Sequence, residues 1–318
     1  MTRRDLKWVA GTSAIMTMTV PFAVLPLKYA VRLGEMLGLV LYQVLRAWRS
    51  LGYGNIEMML PWLRQQSGWN PAYNSAEKLT RELFGNMGRL VAEISRLYHG
   101  LDEDLMATVE FSGMEHIDKA LERGRGVLLI TGHTGNWELF ALSVGAKIRP
   151  LAVVAKPMKK QYIDRLLEKI RNRHGNSVIY RDRAVREILT TLKLNGVVGI
   201  LVDQVVRPPH GVITQFLGRP AWTTRMPVKM ALKSGAAIIP TFIHREGERN
   251  IVTIHPEMEL GTEGPRDERI LRDTDRLNRY IEEQIIRFPT QWNWFYRRWK
   301  GTDKNTMQAG ADGYASYS

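Results

Sequence analysis

Regular alternation of apolar runs with helical patterns is the feature that most constrains the fold of this 318-residue chain. From residue 107 onward, short apolar runs are separated by segments with the 3.6-residue period of amphipathic helices. The predicted strands lie near 127–131, 151–155, 177–180, 197–202 and 237–243. The predicted helices are 159–174, 183–195, 223–234 and 267–288, preceded by an amphipathic helix over 75–99. This alternation predicts an α/β domain with a mostly parallel sheet covered by helices.

An excess of positive charge indicates that the binding partners of this chain are anionic. The chain has 45 Lys and Arg against 32 Asp and Glu, a net charge of +13, which favours acidic lipid surfaces, phosphorylated glycolipids or an acidic carrier protein. No nucleic-acid-binding motif accompanies the charge, so no nucleic acid partner is expected. The lack of cysteine excludes disulfides, a thiolate nucleophile and Cys-ligated metals. Because His210, His244 and His255 are scattered, neither a metal nor a cofactor is expected.

A histidine and a glutamate follow the first predicted strand. The segment Gly132–Glu138 comes directly after the apolar run Val127–Ile130, an order that predicts strand, tight turn and helix. His133 is then expected at the carboxyl edge of the sheet, where open α/β sheets bind ligands. Glu138, in the first turn of the helix, is predicted to hydrogen-bond His133, fix its tautomer and raise its basicity. Such a pair suits a general base that deprotonates an alcohol, although similar pairs also occur as ordinary turn and helix-start residues.

Further candidates lie near other predicted strand ends. Asp203 follows the strand 197–202 and is therefore expected on the same edge as His133, either in the site or as a loop cap. The segment 207–225 is predicted to be a long basic loop, and loops of this length tend to be functional. Guanidinium groups match phosphate oxygens in bidentate fashion, which suits a bis-phosphorylated sugar head group. The arginines concerned are Arg207, Arg219 and Arg225.

Five sequence blocks carry a family resemblance. They are TGHTGNWEL at 131–139, GVVGILVDQ at 196–204, FLGRPAWTT at 216–224, SGAAIIPTFIHRE at 234–246 and PTQWNWFYRRWK at 289–300. In this order and spacing the chain resembles the bacterial lipid A late acyltransferase family, the lauroyl and myristoyl transferases, over roughly residues 30 to 300. The resemblance implies a glycerolipid-acyltransferase-like α/β fold on the cytoplasmic face of the inner membrane.

The resemblance also implies a reaction. The donor is expected to be an acyl carrier protein thioester, or less often acyl-coenzyme A, and the acceptor a hydroxyl on an anionic glycolipid, a lipid A precursor. His133 and Glu138 become the catalytic pair, with no covalent enzyme intermediate. Amides near Gly135 and Asn136, or an arginine, are candidate donors to the oxyanion. Two alternatives stay open: an acyltransferase for another glycolipid, such as a phosphatidylinositol mannoside, and a non-catalytic membrane-peripheral binding protein.

Three more residues are assigned through the family pattern. Its functional aspartate falls at Asp203, and its arginine ahead of a glycine falls at Arg171. Arg173 lies too close in sequence to be distinguished from Arg171. All three are predicted to contact substrate, although a solvated helix end is an equal alternative for each arginine.

The first fifty residues are predicted to form a membrane-associated helical region. Trp8–Leu27 lacks any charge over twenty residues, but Pro21 and Pro26 are expected to break or kink a helix there. A second apolar stretch, Leu33–Leu45, follows. Cations flank the first segment on both sides, which favours a helical pair lying on or dipping into the cytoplasmic leaflet. A twin-arginine export signal over 2–7 is less consistent with the sequence, because no Ala-x-Ala cleavage site follows.

The C-terminal part completes the domain organisation. Residues 51–300 are predicted to form the α/β acyltransferase domain and 301–318 a disordered tail. Just before the tail lies an aromatic cluster interleaved with Arg297, Arg298 and Lys300; its members are Trp292, Trp294, Phe295, Tyr296 and Trp299. This composition is typical of a membrane-interface belt, but a segment docked on the core is an equal alternative.

Overall fold

The structure, a computed structural model, describes residues 3–158, 160–180 and 184–302, with side chains from residue 10 onward. The predicted tail from residue 303 on and Thr2 of the export-like segment lie outside the described residues. The helices within them are α1 (Arg3–Val24), α2 (Leu27–Val44), α3 (Arg46–Leu63), α4 (Ala76–Tyr98), α5 (Glu103–Ala107), α6 (Glu115–Leu121), α7 (Trp137–Lys147), α8 (Gln161–Arg171), α9 (Ala184–Lys193), α10 (Met226–Ser234) and α11 (Arg266–Arg287). The strands are β1 (Val109–Ser112), β2 (Val127–Thr131), β3 (Leu151–Ala155), β4 (Ser177–Tyr180), β5 (Val197–Leu201), β6 (Gly211–Phe216), β7 (Arg219–Thr224), β8 (Ala237–Glu246) and β9 (Arg249–Ile254).

Seven of these strands form one sheet, in the order β1-β9-β8-β2-β5-β3-β4. The five strands from β8 to β4 all run parallel, whereas β9 is antiparallel to β8 and parallel to β1. The prediction of an α/β fold with a mostly parallel sheet is therefore confirmed. The five predicted strands are the five parallel ones, and the two that were not predicted, β1 and β9, lie together at one edge.

Both faces of the sheet are buried at its centre, which explains why β2, β5 and most of β8 are largely apolar runs. Leu128 and Ile130 of β2 point toward a core that includes residues of α9, α10 and α11. Val127 and Leu129 point the other way, into a second core built with α6 and α7. Because β2 lies in the middle of the sheet and is buried along its whole length, the residue that follows it has a rigid support.

The segment 207–225 is not the predicted long loop. Most of it folds into the antiparallel β6–β7 hairpin, which lies on α11. The hairpin turn packs closely on α3, since a Cβ built on Gly218 would lie 2.3 Å from Cδ1 of Trp62. Leu217, with φ of +50°, donates its backbone N–H to Glu282 of α11 at 2.6 Å. The hairpin escaped prediction because polar and apolar residues alternate on it only weakly.

The N-terminal helices pack on α4. Pro21 does not break α1, which continues to Val24, and Pro26 immediately precedes the start of α2. The α2 and α4 backbones cross at glycines: a Cβ on Gly34 would lie 2.4 Å from the carbonyl oxygen of Gly88. Among the helices that the structure describes, none is both long and apolar enough to cross a membrane.

Candidate active site

The strand register brings His133 next to Asp203. Thr131 pairs with Leu201 at the parallel carboxyl ends of β2 and β5, and His133 and Asp203 each lie two positions beyond these ends. His133 Nδ1 lies 2.7 Å from Asp203 Oδ1. The backbone N–H of His133 donates to Asp203 Oδ2, also at 2.7 Å. The predicted position of both residues on one sheet edge is thus reproduced as a direct contact.

Asp203, predicted to contact substrate, is a buried partner of the histidine. It is 2% exposed, and its Oδ2 accepts a further hydrogen bond from Nε1 of Trp292 at 2.8 Å. Gly132 leaves room for this carboxylate, since a Cβ there would lie 3.2 Å from Oδ2. The hydrogen bonds of its carboxylate are therefore made to groups of the protein itself.

This environment favours the charged forms of both groups. Burial opposes protonation of the imidazole, but the charge and hydrogen bond of Asp203, with the charge of Glu138, raise the pKa of His133 above 6.5. Burial also opposes ionisation of the carboxyl, but the imidazole, the backbone N–H of His133 and the Trp292 indole lower the pKa of Asp203. With 19% of its side chain exposed, His133 remains open to a substrate.

Glu138 does not form the predicted hydrogen bond with His133. Its carboxylate faces Arg171, whose Nε lies 2.8 Å from Oε2 and whose Nη2 donates to Oε1. This fork-to-fork pair is largely buried, with 4% of the Glu138 side chain and 17% of the Arg171 side chain exposed. Asp203, and not Glu138, hydrogen-bonds the imidazole, and Glu138 influences His133 only through its charge. Arg171, predicted to contact substrate, donates hydrogen bonds from its guanidinium to Glu138.

The remaining predicted arginines do not form one substrate site. Arg173 donates to Asp102 at 3.1 Å and so ties down the turn after α8. Arg219 and Arg225 lie at opposite ends of β7, about 20 Å apart at 3.3 Å per residue. Arg225 donates to the carbonyl of Pro209 at 2.8 Å. Arg207 is exposed beyond the end of β5 and is the nearest of the three to Asp203 in sequence.

Buried polar contacts hold the turn that carries His133. Asn136 caps α7 by accepting from the Leu139 N–H at 3.0 Å, and it donates to Glu93 of α4 at 2.9 Å. Glu93 is 2% exposed and forms an ion pair with Arg245 of β8. Gly135 has φ of +52°, and a Cβ there would lie 2.4 Å from the Ile243 carbonyl oxygen. The turn is therefore fixed by contacts with two neighbouring elements.

The C-terminal aromatic segment belongs to the site's support and not to a membrane belt. Trp292 and Trp294 are 1% and 0% exposed, and Trp292 forms an isolated bridge with Thr134. The backbone N–H of Asn293 donates to the carbonyl of His133 at 3.0 Å. Of the two sequence alternatives, the docked segment is the one that the structure shows.

Two residues of the site were not predicted from the sequence. One is Trp292, whose indole N–H donates a hydrogen bond to Asp203. The other is Gln204, whose exposed side-chain Nε2 lies 3.3 Å from His133 Nε2. Both lie inside sequence blocks that carry the family resemblance. Their place in these blocks is the sequence signal that could have identified them. Among the described residues no group of three or more His, Asp or Glu side chains is arranged to hold a metal ion.

Comparison with known proteins identifies similar chains. The family model for bacterial lipid A biosynthesis acyltransferases matches residues 3–301. The lipid A biosynthesis palmitoleoyltransferase of Escherichia coli K12 is 26% identical over 281 residues, 87% of this chain and 86% of that protein. The lauroyltransferase of the same organism is 25% identical over 280 residues, 87% of each chain. A phosphatidylinositol mannoside acyltransferase of Mycobacterium tuberculosis H37Rv is 27% identical over 193 residues, 59% of this chain and 58% of that protein.

Proposed function

The chain belongs to the bacterial lipid A biosynthesis acyltransferase family, and on that premise we propose that it moves a fatty acyl chain from a thioester to a hydroxyl of a lipid A precursor. The hydrogen bond between His133 Nδ1 and Asp203 Oδ1 carries the proposal. An alcohol is a poor nucleophile at neutral pH, so a base must take its proton. An imidazole whose Nδ1 faces a carboxylate keeps its proton there and presents a basic Nε2.

Each charged residue then has a role. His133 is the general base, and Asp203 is the positioning residue that fixes its tautomer. Glu138 adds negative charge, which favours the imidazolium formed during the reaction, and its ion pair with Arg171 holds the carboxylate in place. The alcohol oxygen attacks the thioester carbonyl directly, without a covalent enzyme intermediate.

The substrates follow from family and charge. We assign the donor to an acyl carrier protein or coenzyme A thioester, both anionic and therefore suited to a chain of net charge +13. A lipid A precursor is favoured over a phosphatidylinositol mannoside because the similarity to the lipid A enzymes covers 87% of the chain, against 59% for the mycobacterial enzyme. The exposed Arg207 is assigned to a phosphate of the acceptor. The hydrogen-bonded His133–Asp203 pair argues against a non-catalytic binding protein.

A membrane location is supported by the N-terminal helices. Among the described residues, 13 of the 18 exposed large hydrophobic side chains lie between Met18 and Met58. Exposed apolar patches of this kind mark membrane or protein contacts. We propose that the exposed faces of α1, α2 and α3 lie on the cytoplasmic leaflet of the inner membrane, where an anionic lipid acceptor is available to the site.

The function is tested by acyl transfer with purified protein. The protein is incubated with an acyl carrier protein thioester or acyl-coenzyme A and with either a lipid A precursor or a phosphatidylinositol mannoside in detergent micelles. We expect an ester product on the lipid A precursor, detected by mass spectrometry. Transfer to the mannoside alone would move the proposal to the other acceptor, and binding of lipid without transfer from either thioester would contradict it.

A further inference from the structure

The side chain of Gln204 lies against the reactive nitrogen of His133. Its Nε2 is 3.3 Å from His133 Nε2, and the contact is exposed to solvent. Because His133 Nδ1 faces the carboxylate of Asp203, the neutral imidazole carries its proton on Nδ1 and a lone pair on Nε2. The Gln204 amide therefore donates to that lone pair, at the position that a substrate hydroxyl must occupy.

The backbone on both sides of Gln204 is fixed. Asp203 is held by His133 and Trp292, and the N–H of Val205 donates to the hydroxyl of Tyr296 at 3.2 Å. The side chain itself is exposed, so it can rotate while its Cα stays in place. An incoming hydroxyl thus displaces the amide from Nε2 without moving it away from the site.

Two of the oxyanion donors suggested by the sequence, the Gly135 amide and Arg171, are engaged elsewhere. The N–H of Gly135 donates to the carbonyl of Gln291 at 3.0 Å. Arg171 donates from both Nε and Nη2 to the Glu138 carboxylate. A carbonyl attacked by an alcohol at Nε2 has its oxygen next to the displaced Gln204 amide, which is uncommitted at that moment.

We infer that the Gln204 side-chain amide donates a hydrogen bond to the oxyanion formed during acyl transfer, and is thus a catalytic residue; this rests on the proposed function. The alcohol oxygen bonds to the thioester carbon, and its proton moves to His133 Nε2. The carbonyl π electrons move to oxygen, where the Gln204 N–H stabilises the charge. When the carbonyl re-forms, the C–S bond breaks and the imidazolium returns its proton to the departing sulfur. The products are an ester and a free thiol.

Kinetics of Gln204→Ala test this assignment in the full-length protein. Loss of one oxyanion donor lowers turnover about 10²- to 10³-fold, so we expect kcat to fall by this factor with KM for donor and acceptor unchanged. Gln204→Glu keeps the shape but donates no hydrogen bond, and we expect it to be at least as slow. The matched control is Gln215→Ala, which removes an exposed glutamine side chain on the β6–β7 hairpin.

Binding of two inhibitors separates an oxyanion donor from a structural or substrate-binding role. A long-chain alkyl phosphonate mimics the charged tetrahedral intermediate, whereas an alkyl thioether lacks the carbonyl oxygen. We expect Gln204→Ala to lose affinity for the phosphonate by the factor lost in kcat and to bind the thioether like wild type. Wild-type kcat in the variant, or equal losses for both ligands, would overturn the assignment of Gln204 alone. Wild-type protein that transfers no acyl group would overturn the proposed function first.

Discussion

Asp203 determines which nitrogen of His133 carries the proton. Its Oδ2 accepts two N–H groups, from the His133 backbone and the Trp292 indole, while Oδ1 faces Nδ1. In an Asp203→Asn variant the amide oxygen satisfies the two N–H groups, and the NH₂ group then faces Nδ1. The proton is forced onto Nε2, which can no longer act as a base.

We therefore expect Asp203→Asn to lower kcat by about 10⁴-fold, the size of the effect of the same change in a catalytic triad. The remaining activity should depend differently on pH. In wild type the raised pKa of His133 means that activity is lost as the pH falls through a value above 6.5. Without the carboxylate, burial lowers the pKa, and the loss moves to lower pH. A pH profile of kcat/KM measures this, and an unchanged acid limb would contradict it.

The Glu138–Arg171 pair gives a second prediction, on stability. Arg171→Met leaves the buried Glu138 carboxylate without its partner, which typically costs about 3–5 kcal/mol of unfolding free energy. The double variant with Glu138→Gln has no uncompensated charge, so we expect it to recover most of the loss in urea unfolding. A double variant as unstable as Arg171→Met would show that the pair is not the source of the effect.

Residue contacts were predictable from the sequence only along the strand ends. His133 and Asp203 were expected on one edge because both follow apolar runs, and the register brought them into contact. No local pattern reveals that Trp292 donates to a carboxylate 89 residues away. The position of Glu138 in the first turn of α7 predicted a hydrogen bond to His133. The group that Glu138 bonds instead, the guanidinium of Arg171, lies on α8, and spacing within one element cannot predict a contact with another.

At the scale of elements, the crossing of α2 and α4 is set by glycine. A Cβ on Gly38 would lie 2.1 Å from the carbonyl oxygen of Phe84, whereas a Cβ on Gly54 of α3 would meet nothing within 4 Å. We expect Gly38→Ala to lower the unfolding free energy by about 1–3 kcal/mol through overpacking. Gly54→Ala, the control, should raise it by up to about 1 kcal/mol through helix propensity. Equal urea midpoints for the two variants would contradict this packing.

The elements themselves differed in how well the sequence predicted them. The central strands, buried on both faces, gave clear apolar runs and were found, as was the partly exposed edge strand β4. β1, β9 and the hairpin are partly exposed, and glycine, proline and charged residues interrupt their pattern, so their pairing depends on neighbours distant in sequence. Pro21 was expected to break or kink a helix, but it lies within the last turn of α1, six residues before α2 begins at Leu27.

At the scale of the whole molecule, the apolar face of the N-terminal helices predicts membrane binding. Met36, Val40 and Val44 lie four residues apart on α2 and are 58%, 57% and 65% exposed. Replacing all three by Glu should reduce sedimentation with anionic liposomes, because the change removes apolar insertion and adds repulsion. Turnover of an acceptor in micelles should be retained, since none of the three touches the site.

A matched triple variant controls for the added charge. Val185→Glu, Leu194→Glu and Leu271→Glu also replace exposed apolar side chains, but they lie outside the N-terminal helices. We expect this variant to bind liposomes nearly as well as wild type. Equal losses of binding in the two variants would show that net charge, and not the α2 face, determines membrane attachment.

Single-turnover acyl transfer by His133→Ala tests the central claim most directly. The variant is mixed with an acyl thioester and a lipid A precursor, and the ester is quantified by mass spectrometry beside wild type and His116→Ala, which changes a histidine of α6. We expect the rate to fall about 10²- to 10⁴-fold, the usual contribution of a positioned general base, while circular dichroism shows a folded variant and His116→Ala keeps the wild-type rate. A rate for His133→Ala within a few-fold of wild type would contradict the account.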